Sequence, residues 1–295
     1  MNRERILYED SDIIVCHKAA GIATQTARIG QADMVSEIAN YLALAKRGMN
    51  QGQNKSRESS KSRTLNGSRT SDESARQQQS PPPEPYVGVV HRLDQPVEGI
   101  LVFAKNKHAA AELGRQITEN RMEKYYYAVA CGREFAKSDK LTDYLFKDGR
   151  TNTSRIVPPE VKGAKKAVLE YEIVSEVSLS EYATGKILSE QSADIEQTEG
   201  ISIPLRIALV KIRLHTGRHH QIRVQMSHAG LSLLGDYKYA APEIMKISEQ
   251  RKIKEIALCA YHLSFQHPKT GERMRFQIQP EGKCFQAEQF AEYNW

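Results

Sequence analysis

Between Gly48 and Pro85 the chain runs through glutamine, asparagine, serine, arginine and glycine and closes on Pro81-Pro82-Pro83, with almost no apolar side chains. A stretch of this kind cannot bury enough surface to offset the entropy of ordering it. Residues 48–85 are therefore expected to be a flexible, basic insert, and the core must come from the segments on either side. Residues 177–203, rich in serine, glutamate and glutamine, are expected to be a second, loop-like insertion. Setting both aside leaves about 230 residues, a size that one α+β domain can reach.

Charge follows the same division. The chain carries 42 lysines and arginines against 36 aspartates and glutamates. Eight of those bases and only three of the acids lie between Lys46 and Arg76, so the rest is nearly neutral. A nucleic-acid partner cannot be argued from the overall charge; it needs a basic cluster in the folded part. No apolar run approaches the ~18 residues of a membrane span. Met1 to Arg5 lead straight into Ile6-Leu7-Tyr8, without the long apolar core of a secretory signal. Cys16, Cys131, Cys259 and Cys284 are far apart and form neither a disulfide framework nor a Cys-x-x-Cys metal site. The expectation is a cytoplasmic protein with no membrane partner.

The pattern of apolar residues predicts more strands than helices. Ile6 to Tyr8 and Asp12 to Lys18 read as two strands around a polar turn, and residues 33–46 as a helix with Val35, Ile38, Leu42 and Ala45 on one side. Val87 to Val90 and Ile100 to Ala104 are short buried strands, and Asn106 caps a helix running to about Asn120. Glu123 to Gly132, Lys165 to Glu176 and Leu205 to Leu214 are strands. Thr216-Gly217 opens a helix from His219 to about Ala229, and Tyr261 to Gln266 pairs with Arg273 to Gln279 as a hairpin. Sequential strands of this kind imply an α+β fold with a mixed, largely antiparallel sheet and flanking helices.

Three stretches contain residues suited to chemistry. In His91-Arg92-Leu93-Asp94, Asp94 stands where a strand gives way to a loop, a position equally suited to opening a turn or to catalysis. Leu214 to Met226, with Lys211 and Arg213 before it, is the required basic cluster. Its Thr216-Gly217 turn leaves backbone N–H groups and a positive dipole end beside Arg218. His215, His219 and His220 lack the carboxylate or cysteine partners of a metal site, so no metal is expected. In Lys124-Tyr125-Tyr126-Tyr127, strand alternation turns Tyr126 away from its neighbours, toward either core or a bound base.

Together these stretches resemble the RluA-type pseudouridine synthase family. The family's His-Arg-Leu-Asp-x-x-Thr-Ser-Gly pattern, with its apolar run and Ala-Lys, stands here as His91 to Lys105. Lys-x-Tyr-x-Ala stands as Lys124, Tyr126 and Ala128. Thr-Gly-Arg-x-His-Gln-Ile-Arg matches Thr216 to Arg223, followed by Gly235-Asp236 and Tyr239. Lys18 and Gly21 near the start, and Leu258, Ala260, Leu263, Phe265, His267 and Pro268 near the end, also follow the family. The likeness runs from about residue 6 to 280, with both inserts between motifs. The departures are Val97-Glu98 for Thr-Ser, Ala19 for Pro and Cys259 for His.

The resemblance implies conversion of uridine to pseudouridine in ribosomal or transfer RNA by a single catalytic domain, with no cofactor; some members of the family carry a separate N-terminal RNA-binding domain, and with the first strand expected at Ile6 none is expected here. Asp94, Tyr126 and Arg218 are implied as catalytic: Asp94 starting the reaction, Arg218 holding it ionised, Tyr126 packing on the base. Arg92, His91, Thr216, Gly217, His220, Gln221 and Arg223 are implied as RNA- or substrate-binding. RNA is the expected partner of a monomeric protein. The alternatives are a non-catalytic RNA-binding protein on the same fold, and a hydrolase using Asp94 and Glu98 as a carboxylate pair.

Overall fold

The computed structural model describes residues 3–26, 30–45, 84–179, 182, 204–287, 290 and 293. Most of both expected insertions, residues 48–83 and 183–203 among them, lies outside the described residues. The N-terminal hairpin is β1 (Ile6–Glu9) and β2 (Ile13–Lys18), turned at Asp10, whose carboxylate accepts the N–H groups of Asp12 and Ile13. Helix α1 covers residues 34–45, with Asp33 accepting the Ser36 N–H at its start. Then come β3 (Gly88–Val89), β4 (Glu98–Ala104) and α2 (Lys107–Thr118). Asn106 caps α2 as its sequence position predicts, its Oδ1 accepting the Ala109 N–H at 2.8 Å.

After β5 (Glu123–Gly132) the chain forms a hairpin not anticipated from the apolar pattern, β6 (Ser138–Asp148) and β7 (Thr153–Ile156). β8 (Lys165–Ser178) and β9 (Arg206–Leu214) complete the long strands. Helix α3 is Gln221–His228, two residues shorter at its start than predicted. It leads through β10 (Ser232–Leu233) into an unanticipated helix, α4 (Pro242–Gln250), and the hairpin β11 (Leu258–Gln266) and β12 (Arg273–Gln277).

Among the described residues these strands make one sheet in the order β1-β2-β4-β11-β5-β9-β8-β6-β7, with β3 on β4, β10 on β5 and β12 on β11. Every strand pair is antiparallel except β4 with β11, so the fold is α+β with a mixed, largely antiparallel sheet. Strand alternation divides the core between the two faces. Tyr126, Ala128 and Ala130 of β5 face a cluster with Met34, Ile38 and Leu42 of α1 and Ile222 and Met226 of α3. Tyr127, Val129 and Cys131 face the other way, onto Ile244 and Ile247 of α4. Ala109 and Leu113 of α2 pack with Val102 of β4 and Phe265 of β11. Asp94 lies in the loop leading into β4, and the first face carries it together with Tyr126 and α3.

Candidate active site

The loop that carries Asp94 is held from both sides. Leu93 donates its N–H to Thr24 Oγ1 at 3.2 Å, and the same hydroxyl donates to the Leu93 carbonyl at 2.9 Å. Gly21 N–H reaches the Gln95 carbonyl at 2.9 Å, and Gln95 Nε2 returns a bond to the Gly21 carbonyl at 3.0 Å. Lys18 is wholly buried and donates to the carbonyls of Ala19, Ile22 and Gln95 at 3.0, 2.7 and 3.1 Å. Burial pushes its ammonium down to about 8, against the pull of Asp94 and Glu98. The turn closes with Val97 N–H on the Asp94 carbonyl at 3.0 Å, while Leu93 and Val97 are buried in the core. Asp94 stays partly open to solvent, its side chain 28% exposed.

The cation beside it is Arg223, not Arg218. Arg223 sits within α3, 7% exposed, and places Nη1 3.3 Å from Asp94 Oδ2. Its other edge is fixed by a bidentate pair with the buried Asp236, Nε donating to Oδ2 at 2.8 Å and Nη2 to Oδ1 at 2.7 Å. The guanidinium carbon lies 4.9 Å from the centre of the Tyr239 ring. Burial opposes the charge, but the bonds and charge of Asp236, then those of Asp94, more than offset it and raise the Arg223 pKa. Arg218 instead is exposed and donates Nε to the Lys166 carbonyl at 2.9 Å. The expected pairing of Arg218 with Asp94 is therefore corrected: the helix starts at Gln221, so Arg218 falls in the preceding turn and points along β8.

Tyr126 lies buried on β5; burial and then the Asp94 charge raise its pKa, so it is a neutral phenol. His220 precedes α3 in a left-handed backbone conformation, φ 54°, with Nε2 3.6 Å from Asp94 Oδ2 and Nδ1 2.6 Å from the Tyr239 hydroxyl. Its ring stacks on His219, centroids 3.7 Å apart. His219 in turn bonds Ser154 Oγ at 2.8 Å and Asn152 Oδ1 at 3.1 Å. Both ring nitrogens of His219 and Nδ1 of His220 are thus hydrogen-bonded to protein groups, while His215 Nε2 lies 3.2 Å from Glu170 without hydrogen-bond alignment.

Several residues implied as substrate-binding are engaged in the fold. His91 Nε2 accepts the Val102 N–H at 3.2 Å, and burial, helped by Lys124, drives its pKa down to about 3. Thr216 Oγ1 accepts the Val168 N–H at 2.8 Å and donates to Gln221 Oε1 at 2.8 Å. Gln221 Oε1 also accepts the Arg218 N–H at 3.0 Å, so one donor expected to be free in the Thr-Gly turn is already bound. Gly217 and Arg92 are exposed. Glu98 makes no pair with Asp94. Its Oε1 takes His17 Nε2 at 3.0 Å and the Glu281 N–H at 2.9 Å, and its Oε2 the Gly282 N–H at 3.2 Å. These contacts remove the carboxylate pair on which the hydrolase alternative depended. Asp236 and Tyr239 were visible in the sequence as Gly-Asp-x-x-Tyr, but only the fold brings them to Arg223.

The resulting site is a partly exposed carboxylate, a buried arginine that pairs with it and fixes its direction, and an aromatic residue buried beneath. A family model described as RNA pseudouridylate synthase matches residues 12–228. The chain is 28% identical over 287 residues to an uncharacterized RNA pseudouridine synthase of Chlorobaculum parvum, covering 92% of this chain and 69% of that protein. It is 30% identical over 192 residues to tRNA pseudouridine synthase C of Haemophilus ducreyi, covering 64% and 70%. It is also 30% identical over 199 residues to ribosomal large subunit pseudouridine synthase D of Vibrio parahaemolyticus, covering 65% and 52%. Among solved structures, human RNA pseudouridylate synthase domain containing 4 superposes with a TM-score of 0.60 at 17% identity, covering 97% of this chain and 93% of that one. That likeness concerns the fold.

Proposed function

Because the chain belongs to the RluA-type RNA pseudouridylate synthase family, we propose that it isomerises uridine to pseudouridine in transfer or ribosomal RNA, with Asp94 starting the reaction. The observation that carries this reading is the pairing of the partly exposed Asp94 with Arg223, itself locked on Asp236. A guanidinium at this distance fixes the direction from which the carboxylate meets the nucleotide. The isomerisation breaks the N1–C1′ bond, turns the base, joins C5 to C1′, and exchanges the proton lost from C5 for one gained at N1. It needs one anionic group at the sugar or base and a surface on which the detached base can turn.

Tyr126 supplies that surface. As a neutral phenol it packs on the base and can donate a hydrogen bond; it does not act as a phenolate. A uridine in structured RNA must leave its stack to reach Asp94, so base flipping is part of the reaction. Arg92 and Arg218, both exposed, are suited to phosphate contacts. Transfer and ribosomal RNA are named because relatives of both kinds match the chain. No described helix is long and apolar enough to cross a membrane, and the four cysteines are buried thiols, which fits action in the cytoplasm. We take the active form to be a single-domain monomer.

The test uses RNA labelled with tritium at uridine C5, taken from cells lacking this protein. The wild-type protein should release the label and Asp94→Asn should not. Release of free uracil would point to a hydrolase, and tight binding without release to a non-catalytic RNA-binding protein.

A further inference from the structure

His220 was expected to touch RNA, yet its surroundings are those of a group aimed at the carboxylate. The Ser154 N–H donates to the Tyr239 oxygen at 2.9 Å, which leaves that hydroxyl its own proton to give. The His220 Nδ1 lies 2.6 Å from it. On the opposite edge of the imidazole, Nε2 faces Asp94 Oδ2 at 3.6 Å. A lone pair at Nε2 would oppose the carboxylate, and a proton at Nδ1 would leave the Tyr239 hydroxyl without its acceptor. Both neighbours therefore select the same neutral form, with the proton on Nε2.

The ring is also held in place. It stacks on His219, which is tied to the β6–β7 hairpin through Ser154 and Asn152, and meets the Tyr239 ring edge-on at 5.4 Å. The backbone of His220 adopts φ 54°, an uncommon conformation for a side-chain-bearing residue, without the side chain making a cap bond to α3. Burial drives its pKa down to about 4. Asp94 opposes that shift, while Arg223, His219 and Lys238 add to it.

We propose that His220 is a positioning residue for Asp94, held by Tyr239 as the Nε2–H form, so that His220 and Arg223 converge on Oδ2 and leave Oδ1 for the reacting atom. The contact is longer than a hydrogen bond in the free protein and short enough to tighten when RNA excludes water from the cleft. Tyr239 thus has two tasks, its face under Arg223 and its hydroxyl on His220. This role rests on Asp94 being the reacting group proposed above.

The test combines a spectroscopic and a kinetic reading. In protein labelled with ¹⁵N-histidine and free of RNA, His220 should show a protonated Nε2 and an unprotonated Nδ1 at neutral pH. In Tyr239→Phe, where only Asp94 still selects that form, the preference should weaken. With C5-tritiated RNA from cells lacking the protein, Tyr239→Phe and His220→Asn should lower the single-turnover rate by on the order of tenfold to a hundredfold, with RNA affinity within about twofold. Asn tolerates the left-handed backbone, so this variant keeps the start of α3. An Nδ1–H or doubly protonated His220 in the wild type overturns the proposal, as does wild-type turnover by both variants. A wild-type protein that releases no tritium sinks the isomerase reading instead, and the tautomer then still decides what Tyr239 does to His220.

Discussion

Arg223 decides the electrostatics of the site, because it is the one guanidinium shared between Asp94 and the buried Asp236. Removing it strands Asp236, which is 1% exposed, as an uncompensated buried charge. Arg223→Met should therefore cost about 3–5 kcal/mol of stability as well as activity, read as a fall in the denaturant midpoint. Unchanged stability would mean that Asp236 finds another partner. Arg223→Lys should keep the charge and lose the fork that spans the two carboxylates. Strand alternation and a turn left Asp94 as suited to a turn as to catalysis and Tyr126 to core or to a base, and it was the likeness of their motifs to the family's that singled them out. The choice between Arg218 and Arg223 could not be made from the sequence. It depends on His220 adopting a left-handed backbone that delays the helix by two residues, and nothing in the apolar pattern signals such a residue.

At the level of elements, the contact that aligns the site is β4 against β11. Gly99 has φ +144°, and a Cβ there would lie 2.4 Å from Ala260 Cβ and 2.6 Å from its backbone nitrogen. Only glycine permits this parallel approach immediately after the Asp94 turn. Gly99→Ala should force β4 off β11, costing more than about 3 kcal/mol and lowering activity with it. A thermal midpoint within a degree of wild type would contradict this account. The same register sets two of the departures from the family pattern, at positions 98 and 259, opposite each other. Glu98 and Cys259 are direct partners across the two strands, and Glu98 turns its carboxylate to His17 and to the N–H groups of Glu281 and Gly282 rather than to Asp94. The strands with clean alternation were legible in advance. β6 was not, because it is largely exposed and rich in polar residues and gains its order from pairing with β8 and β7. α4 starts at Pro242 with a short apolar face, a weak signal beside its longer neighbours.

Across the described residues, the two faces of the sheet are closed by different helices, and the face with α1 and α3 is the one that carries Tyr126 and Arg223. Stability should depend on pH through groups buried neutral on this frame. The folded protein holds His91 uncharged down to about 3, whereas the unfolded chain takes up that proton near pH 6.5. Between those values the unfolded state binds more protons, so stability rises with pH and is lost as pH falls from 6.5 toward 3. The loss from pH 7 to pH 4 attributable to His91 should be about 3 kcal/mol, seen as a shallower slope in His91→Gln. Equal slopes in the two proteins would show that His91 is not held neutral. His219 and His220, whose pKa values are also lowered, contribute to both proteins and cancel.

We propose above all that Asp94, paired with Arg223, starts the conversion of uridine to pseudouridine in RNA. The most direct test is site-resolved pseudouridine mapping of transfer and ribosomal RNA from cells lacking the protein, complemented with wild type or with Asp94→Asn. One or more pseudouridines should disappear on deletion, return with the wild-type protein, and stay absent with Asp94→Asn, at a residual rate reduced by at least about a thousandfold. Restoration of the same sites by Asp94→Asn would contradict the account.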